Sequence, residues 1–320
     1  MQNAYTTKKT YLGSPMNQET LIQRIKKKKD EQNVLILAHN YQQPEVQDIA
    51  DIVGDSLELA LQSTKTNADI IIMCGVTFMA EAVKILNPKK TVLIPDKNAS
   101  CPMAAMVEPV SLQVMKEKHP DATVVCYINT TAEVKAYSDI CCTSSNGAQV
   151  VRSVKSENIL FIPDCNLGSY IQQQVPEKNM ILWPGICPTH HKITAKDILT
   201  IKKKHPTAEV LVHPECQKEV IQLADHTLST NGMVSHIKQS KHHSFIIGTE
   251  KELCYRLKKE NPNKTILPLE KAVCPNMKKI SLEKILNTLE TLEPILTLPE
   301  DIISKARIPL QKMMDIGRGD

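Results

Sequence analysis

The chain has 320 residues, 42% hydrophobic and 23% charged, with a net charge of +4. That balance excludes a largely disordered chain and a strongly basic surface built for nucleic acid or an anionic membrane. One Trp, three Phe and seven Tyr leave few platforms for stacking single-stranded nucleic acid. No apolar run reaches the roughly 20 residues of a spanning helix; the longest, 70–86, is interrupted by Thr77, Glu81 and Lys84. At about 150 residues per domain, length alone predicts two domains. Residues 1–17 read as a polar tail, and no apolar stretch follows Lys8 and Lys9. An export signal is therefore not expected, and a cytoplasmic location keeps thiols reduced. The ten cysteines are then core filler, metal ligands or nucleophiles. They include no CxxC pair, which removes zinc ribbons and thioredoxin-like redox pairs. Any metal site must be assembled from distant parts of the chain.

In chain order, the runs 34–39, 124–129 and 210–215 are β-branched or leucine-rich and end in polar residues. This is the pattern of strands buried on both faces. Each leads through a helix-like stretch to a hydroxyl. His39 to Ser56, Tyr127 to Ser144 and His213 to Thr230 each span 17 residues. A second apolar run follows each hydroxyl, at 70–75, 159–163 and 245–248. Then come a helical stretch, a charged turn beginning at Asn87, Glu177 or Asn261, and a third short strand. A cysteine next to proline closes each round: Cys101, Cys187 and Cys274, 86 and 87 residues apart.

A register held over three copies is the signature of a repeat architecture. It predicts three strand-helix-strand-helix-strand units, 18–106, 107–190 and 191–280, with parallel sheets and right-handed crossovers. The expected fold class is α/β: three α-β-α three-layer units with short parallel sheets, related by pseudo-threefold symmetry about a central axis that carries the site. Residues 281–320 read as a helical closing segment. Leu282, Ile285, Leu286 and Leu289 stand at helical spacing there, and proline-broken stretches follow.

Open parallel sheets bind ligands beyond the carboxyl ends of their strands. His39, Tyr41, Tyr127, Asn129, His213 and Glu215 fall there. Ser56, Ser144 and Thr230 read as helix caps, and a helix N-terminus offers free N–H groups and a positive dipole end to carboxylate or phosphate. A single such hydroxyl is ordinarily a cap worth about 1 kcal/mol, and a single histidine after a strand is ordinarily structural. Threefold recurrence has no shared packing reason, and it points to a site for a multiply anionic small molecule.

The cysteines divide by context. Cys126, Cys141, Cys142 and Cys254 are expected in the core, whereas Cys74 ends a strand and Cys165 and Cys216 stand in polar loops. Cys101, Cys187 and Cys274 hold one place in each repeat and give three-point ligation of a metal centre. Zinc calls for a fourth ligand, and no histidine recurs at that position. Iron–sulfur clusters usually take four cysteines, so three leave one iron open as a Lewis acid. Spacing alone does not identify the metal.

The stretch Ala38-His-Asn-Tyr-Gln-Gln-Pro-Glu-Val-Gln-Asp48, followed by Gly54-Asp-Ser56, resembles the quinolinate synthase family of NAD biosynthesis. So do Gly75-Val-Thr-Phe-Met-Ala-Glu81, Tyr127-Ile-Asn-Thr130, Thr143-Ser-Ser-Asn146, His213-Pro-Glu215 and Ser229-Thr230, and the resemblance runs from about residue 18 to the last residue. It implies one [4Fe–4S] cluster per chain, held by Cys101, Cys187 and Cys274 with one open iron. It implies condensation of iminoaspartate with dihydroxyacetone phosphate to quinolinate, phosphate and water. His39, Ser56, Tyr127, Ile128, Asn129, Ser144, His213, Pro214, Glu215 and Thr230 would bind substrate, and Tyr41, Tyr127 and Glu215 would handle protons. The implied partners are those two substrates and a functional link to L-aspartate oxidase, without nucleic acid or membrane, in a monomer or homodimer. Cys74, Cys165 and Asn231 depart from the Ala, Lys and Gly common in the family, and a CxxCxxC arrangement near the third ligand is replaced by Cys274 alone. Two other readings stay open: a cluster-dependent hydro-lyase on the same scaffold, and a non-enzymatic zinc-binding protein.

Overall fold

Asn17 accepts a hydrogen bond from the Thr20 amide (2.8 Å) and so starts α1 (Gln18–Glu31), which buries Leu21 and Ile25. The computed structural model describes residues 17–319, so the expected polar tail lies outside the described residues apart from Asn17. Three rounds of one element order follow. The first is β1 (Val34–His39), α2 (Pro44–Ile49), β2 (Ile52–Gly54), α3 (Ser56–Lys65), β3 (Ile70–Cys74), α4 (Thr77–Leu86) and β4 (Thr91–Leu93). After α5 (Pro109–Lys118) come β5 (Thr123–Tyr127), α6 (Ala132–Ala136), β6 (Ile140–Cys142), α7 (Gly147–Ser153), β7 (Asn158–Ile162), α8 (Cys165–Gln174) and β8 (Asn179–Leu182). Short α9 (Pro188–His191) and α10 (Ala195–Lys204) precede the third round. It comprises β9 (Glu209–Val212), α11 (Lys218–Ile221), β10 (His226–Thr227), α12 (Thr230–Gln239), β11 (Ser244–Gly248), α13 (Leu253–Glu260) and β12 (Thr265–Pro268).

Each round forms one parallel four-stranded sheet with the same order: β2-β1-β3-β4, β6-β5-β7-β8 and β10-β9-β11-β12. The ladder registers make positions equivalent. Leu37, Val125 and Leu211 pair with Ile52, Ile140 and His226, while Leu35, Thr123 and Glu209 pair with Ile71, Ile159 and Phe245. The α/β class with three parallel units is therefore borne out.

Three strands per unit were expected, and four are present. The additional one is a two- or three-residue edge strand inside the stretch read as helical. Its cause is an aspartate twelve residues beyond His39, Tyr127 and His213, at Asp51, Asp139 and Asp225. Their carboxylates accept from the amides of Ile36, Val124 and Val210 at 2.8, 2.8 and 2.7 Å. Their own N–H groups donate to the carbonyls of those same residues at 2.9, 3.1 and 2.9 Å. This double anchor aligns the next residues for pairing without an apolar run of strand length.

The closing segment holds two helices. The first, α14 (Leu282–Thr291), packs on α1 and buries Leu282, Ile285, Leu286 and Leu289. The expected proline-broken stretch is present at 292–299, with Pro294 and Pro299, but beyond it α15 (Glu300–Ile316) is one 17-residue helix running through Pro309. An interior proline costs about 3 kcal/mol. Ala306, Pro309, Leu310 and Met313 are buried on a face that packs against α4, α6 and β6, at about 1.5–3 kcal/mol per large side chain. Burial outweighs the proline.

Lys284 of α14 pairs with Asp96, beyond β4. The Lys284 hydrogen bond holds the Asp96 carboxyl below the usual carboxylate range. The folded pKa thus lies below the unfolded one, so the pair stabilises at neutral pH and is lost as pH falls through the folded value. Lys284 is half exposed, and screening keeps the pair's worth to about 0.5–1 kcal/mol. Asp96→Asn is expected to lose that much in urea unfolding at pH 7 and nothing once Asp96 is protonated; equal losses at both pH values would assign the effect to packing.

Candidate active site

The loop after each unit's last strand is held by one repeated backbone bond. Thr77 N–H donates to the Ala99 carbonyl (2.8 Å), Cys165 N–H to Gly185 (2.8 Å) and Lys251 N–H to Ala272 (2.9 Å). Each acceptor stands two residues before a candidate ligand: Cys101, Cys187 and Cys274. Buried carboxylates add a second tie, since Cys187 N–H donates to Asp164 (3.1 Å) and Cys274 N–H to Glu250 (3.2 Å). At Gly185 only glycine fits, because a Cβ would lie 2.4 Å from the Pro163 carbonyl oxygen. The three thiols line one cavity of about 140 Å³.

The same cavity is lined by His39, Tyr41, Ser56, Tyr127, Ile128, Asn129, Ser144, His213, Glu215 and Thr230. Pro214 is the exception, buried between His213 and Glu215 but not part of the lining. The expected capping roles shift by one residue. Asp55 and Ser229 cap α3 and α12, accepting from Glu58 N–H (2.9 Å) and Gly232 N–H (3.1 Å). Ser56 and Thr230 are the first residues inside those helices, and Ser144 stands in the turn before α7, whose N-cap is Asn146. These hydroxyls are not consumed by capping and face the cavity.

His39 and His213 are set alike. The Tyr41 amide donates to His39 Nδ1 (3.1 Å) and the Glu215 amide to His213 Nδ1 (3.3 Å), which leaves the proton of each neutral ring on Nε2. His213 Nε2 then reaches Ser144 Oγ at 3.2 Å. Burial pushes both histidines down to about 3 against the pull of the Glu215 carboxylate, so they are neutral at pH 7.

Glu215 is the charged centre of the group. Burial acts to raise its pKa, but His190 and hydrogen bonds from His190 and Tyr127 overcome it and bring it to about 2. His190 Nδ1–H donates to Glu215 Oε2 (2.6 Å), leaving Nε2 to the hydroxyls of Thr249 (2.8 Å) and Tyr41 (3.4 Å). Burial, and then the Glu215 carboxylate, push the Tyr41 and Tyr127 phenols well above their usual range. The site thus pairs one carboxylate with two protonated phenols and two neutral imidazoles. Glu215 Oε1 is buried and has no hydrogen-bond partner among the described residues.

Several positioning residues carry no repeat signal because they do not recur. His190 touches Glu215 and stands 3.2 Å from Cys187 Sγ; its only sequence signal is its place three residues after that cysteine. Fully buried Lys135 donates to the carbonyls of Ile128 (2.7 Å) and Thr130, fixing the loop that carries Asn129. Lys278 joins the Tyr41 carbonyl (2.7 Å) to Glu250 (2.9 Å). Arg318, beyond α15, pairs with Asp55 (2.9 Å) and donates to Ser229 Oγ (3.2 Å), while Gly319 N–H donates to the Ser145 carbonyl (3.0 Å). One short segment therefore ties the starts of α3 and α12 to the turn before α7. Between the first and third units, Asn40 Nδ2 donates to Thr230 (2.8 Å) and to Asn231 (2.9 Å).

The other cysteines lie elsewhere. Cys74, Cys126, Cys141, Cys142, Cys216 and Cys254 are buried, and Cys165 opens α8 rather than standing in a loop. All ten are unpaired thiols. Burial raises Cys101 to about 12, and raises Cys187 and Cys274 as well. Among the described residues, the groups of three donors lying within 4.8 Å of one another are Cys187–His190–Glu215 and Glu209–His226–His236. No described helix is long and apolar enough to cross a membrane.

A family profile described as quinolinate synthetase A protein matches residues 23–315. A quinolinate synthase of Thermodesulfovibrio yellowstonii is 51% identical over 289 residues, 90% of this chain and 95% of the relative. One of Methanosarcina barkeri is 48% identical over 302 residues, covering 94% and 99% of the two chains. A third, of Alkaliphilus metalliredigens, is 52% identical over 249 residues, 78% of this chain and 82% of its own. With a family profile matching residues 23–315 and relatives about half identical over most of both chains, the chain belongs to the quinolinate synthetase A family.

Proposed function

We propose that the protein is a quinolinate synthase, a transferase of NAD biosynthesis that condenses iminoaspartate with dihydroxyacetone phosphate to quinolinate, phosphate and two waters. The observation that carries this reading is one cavity that collects three equivalent thiols and a polar set from the strand ends of all three units. Within the same reading, units 18–106, 107–190 and 191–280 surround the site and 281–320 closes it. The protein works in the cytoplasm as a monomer or homodimer, taking iminoaspartate from an aspartate-oxidising enzyme.

The donor set fits a [4Fe–4S] cluster. Cys101, Cys187 and Cys274 do not form a compact single-ion group, whereas one tetrahedral zinc with Zn–S of about 2.3 Å would draw its sulfurs to about 3.8 Å. Burial disfavours all three thiolates, so a cationic metal centre is what would hold them deprotonated. Cys101, Cys187 and Cys274 would hold such a cluster, which would supply one open iron as a Lewis acid for a hydroxyl or carboxylate oxygen.

The remaining work falls to side chains. Ser56 and Thr230 open α3 and α12, where hydroxyls and helix-end N–H groups suit carboxylate or phosphate. His39 and His213 offer Nε2–H donors without adding charge. Forming the ring requires a proton removed from carbon and protons delivered to departing hydroxyls. Glu215, ionised at neutral pH, is placed to accept the first and the protonated Tyr41 and Tyr127 phenols to deliver the others; their pKa values lie away from neutrality without substrate, so these roles require bound substrate and cluster to draw them closer.

Anaerobically purified protein is expected to carry about four iron and four sulfide per chain and to form quinolinate only with both substrates present. Zinc in place of iron and sulfide, lost when Cys187 is replaced by Ala, would assign the cysteines, or the Cys187–His190–Glu215 set, a structural role. Turnover of iminoaspartate without dihydroxyacetone phosphate would make the protein a hydro-lyase.

A further inference from the structure

Away from the central cavity, the third unit gathers Glu209 from the start of β9, His226 from β10 and His236 from α12. His226 Nε2 lies 3.0 Å from Glu209 Oε1, and His236 Nε2 lies 3.1 Å from Oε2. The two rings are 4.3 Å apart between centroids. The Glu209 side chain is buried, that of His236 half-buried and that of His226 exposed, so the cluster opens to solvent on one side. The Ser240 hydroxyl donates to Glu209 Oε2 (3.3 Å), orienting the carboxylate from behind. None of the three residues lines the cysteine cavity.

We propose that Glu209, His226 and His236 form a second metal site, a two-histidine one-carboxylate site for zinc that staples β9, β10 and α12 on either side of Thr230. The donors are already near the required spacing. Zinc bonds of about 2.0–2.1 Å at tetrahedral angles place neighbouring donors about 3.3 Å apart; each imidazole nitrogen lies within a few tenths of an ångström of that from a Glu209 oxygen, and one ligand atom from each of the three residues lies within 4.8 Å of the others. Two imidazoles and a carboxylate suit zinc better than magnesium or calcium, which prefer all-oxygen cages. The exposed side leaves the fourth position to water.

The pseudo-threefold symmetry supplies an independent argument. The ladder registers make Glu209 equivalent to Leu35 and Thr123, and His226 equivalent to Ile52 and Ile140. Counting from Ser56, Ser144 and Thr230, His236 corresponds to Gln62 and Val150. The first two units thus put mostly apolar or uncharged residues where the third puts three metal-binding types together. Packing alone asks for no such joint exchange at the third copy.

The location gives the site a consequence. His226 stands four residues before Thr230 and His236 six residues after it, roughly 9 Å along the helix. Closing a metal bridge across these elements fixes the turn that presents Thr230 to the cavity. The inference does not depend on the identity of the reaction or of the group held by the cysteines.

The test is calorimetric titration of zinc into the purified full chain with its cysteine site loaded, beside His226→Ala and His236→Ala. The wild type is expected to take one zinc per chain with a rise in thermal midpoint. Each variant should bind at least about tenfold more weakly and show no rise. Folding of each variant is checked by its metal-free melting curve, and His226 is exposed enough for that variant to fold. Absence of stoichiometric zinc uptake by the wild type, or uptake by both variants as tight as that of the wild type, would overturn the proposal and leave the cluster as a hydrogen-bonded carboxylate.

Discussion

Cys187→Ala is expected to abolish both the visible iron–sulfur absorbance and quinolinate formation. The thiol is one of only three equivalent donors in the cavity, so no fourth cysteine stands ready to replace it. The loop itself should survive, because the residue 187 amide stays bonded to Asp164 and the Cys165 N–H to the Gly185 carbonyl. The loss is therefore chemical rather than a failure to fold. Cys126→Ala is the matched control. Cys126 is a fully buried thiol in the second sheet, and its truncation should cost about 1 kcal/mol of packing while the absorbance stays. An anaerobically reconstituted Cys187→Ala enzyme with full turnover would remove the cysteine triad from the mechanism.

Glu215→Gln should lower kcat by about 10²–10⁴-fold while leaving the iron–sulfur absorbance in place. Glutamine keeps the shape and can still accept from His190 Nδ1–H, which lies 2.6 Å from the carboxylate. It cannot take a proton. A buried acceptor left without a partner is expensive in a folded protein, and among the described residues Glu215 Oε1, at the cavity wall, has none. That cost is intelligible where the oxygen is kept for a reacting proton. Steady-state kinetics with both substrates varied separates the roles: a change confined to KM would make Glu215 a binding residue, and an unchanged kcat would place the base elsewhere.

Much of this arrangement is readable without coordinates because repetition converts weak local signals into a strong joint one. A single valine-rich run followed by histidine says little. Three such runs at matched spacings to hydroxyl and cysteine mark strand ends, helix starts and loop ligands together. The edge strands were missed because their cause is not an apolar pattern but the aspartates at 51, 139 and 225, whose twofold bonds act across the sheet. Pro309 misled in the opposite direction, since a local helix breaker was outweighed by a face buried against α4, α6 and β6. Local signals failed where long-range partners carried the larger energy.

The periodic order of elements, the strand ends, and the cysteine and hydroxyl positions follow from residue types at repeated spacings, since buried strands and helix starts impose their chemistry locally. Which side chains face one another is set by packing between units. That packing brings His190 onto Glu215, Lys135 under the 128–130 loop and Arg318 across the starts of α3 and α12. It also drives the charge states of the site, because desolvation depends on what surrounds a group and not on its neighbours in the chain. A histidine and a glutamate are visible in the chain; that burial drives His39 far below its usual pKa, and that buried Glu215 stays ionised because His190 and hydrogen bonds outweigh desolvation, follows only from the packing.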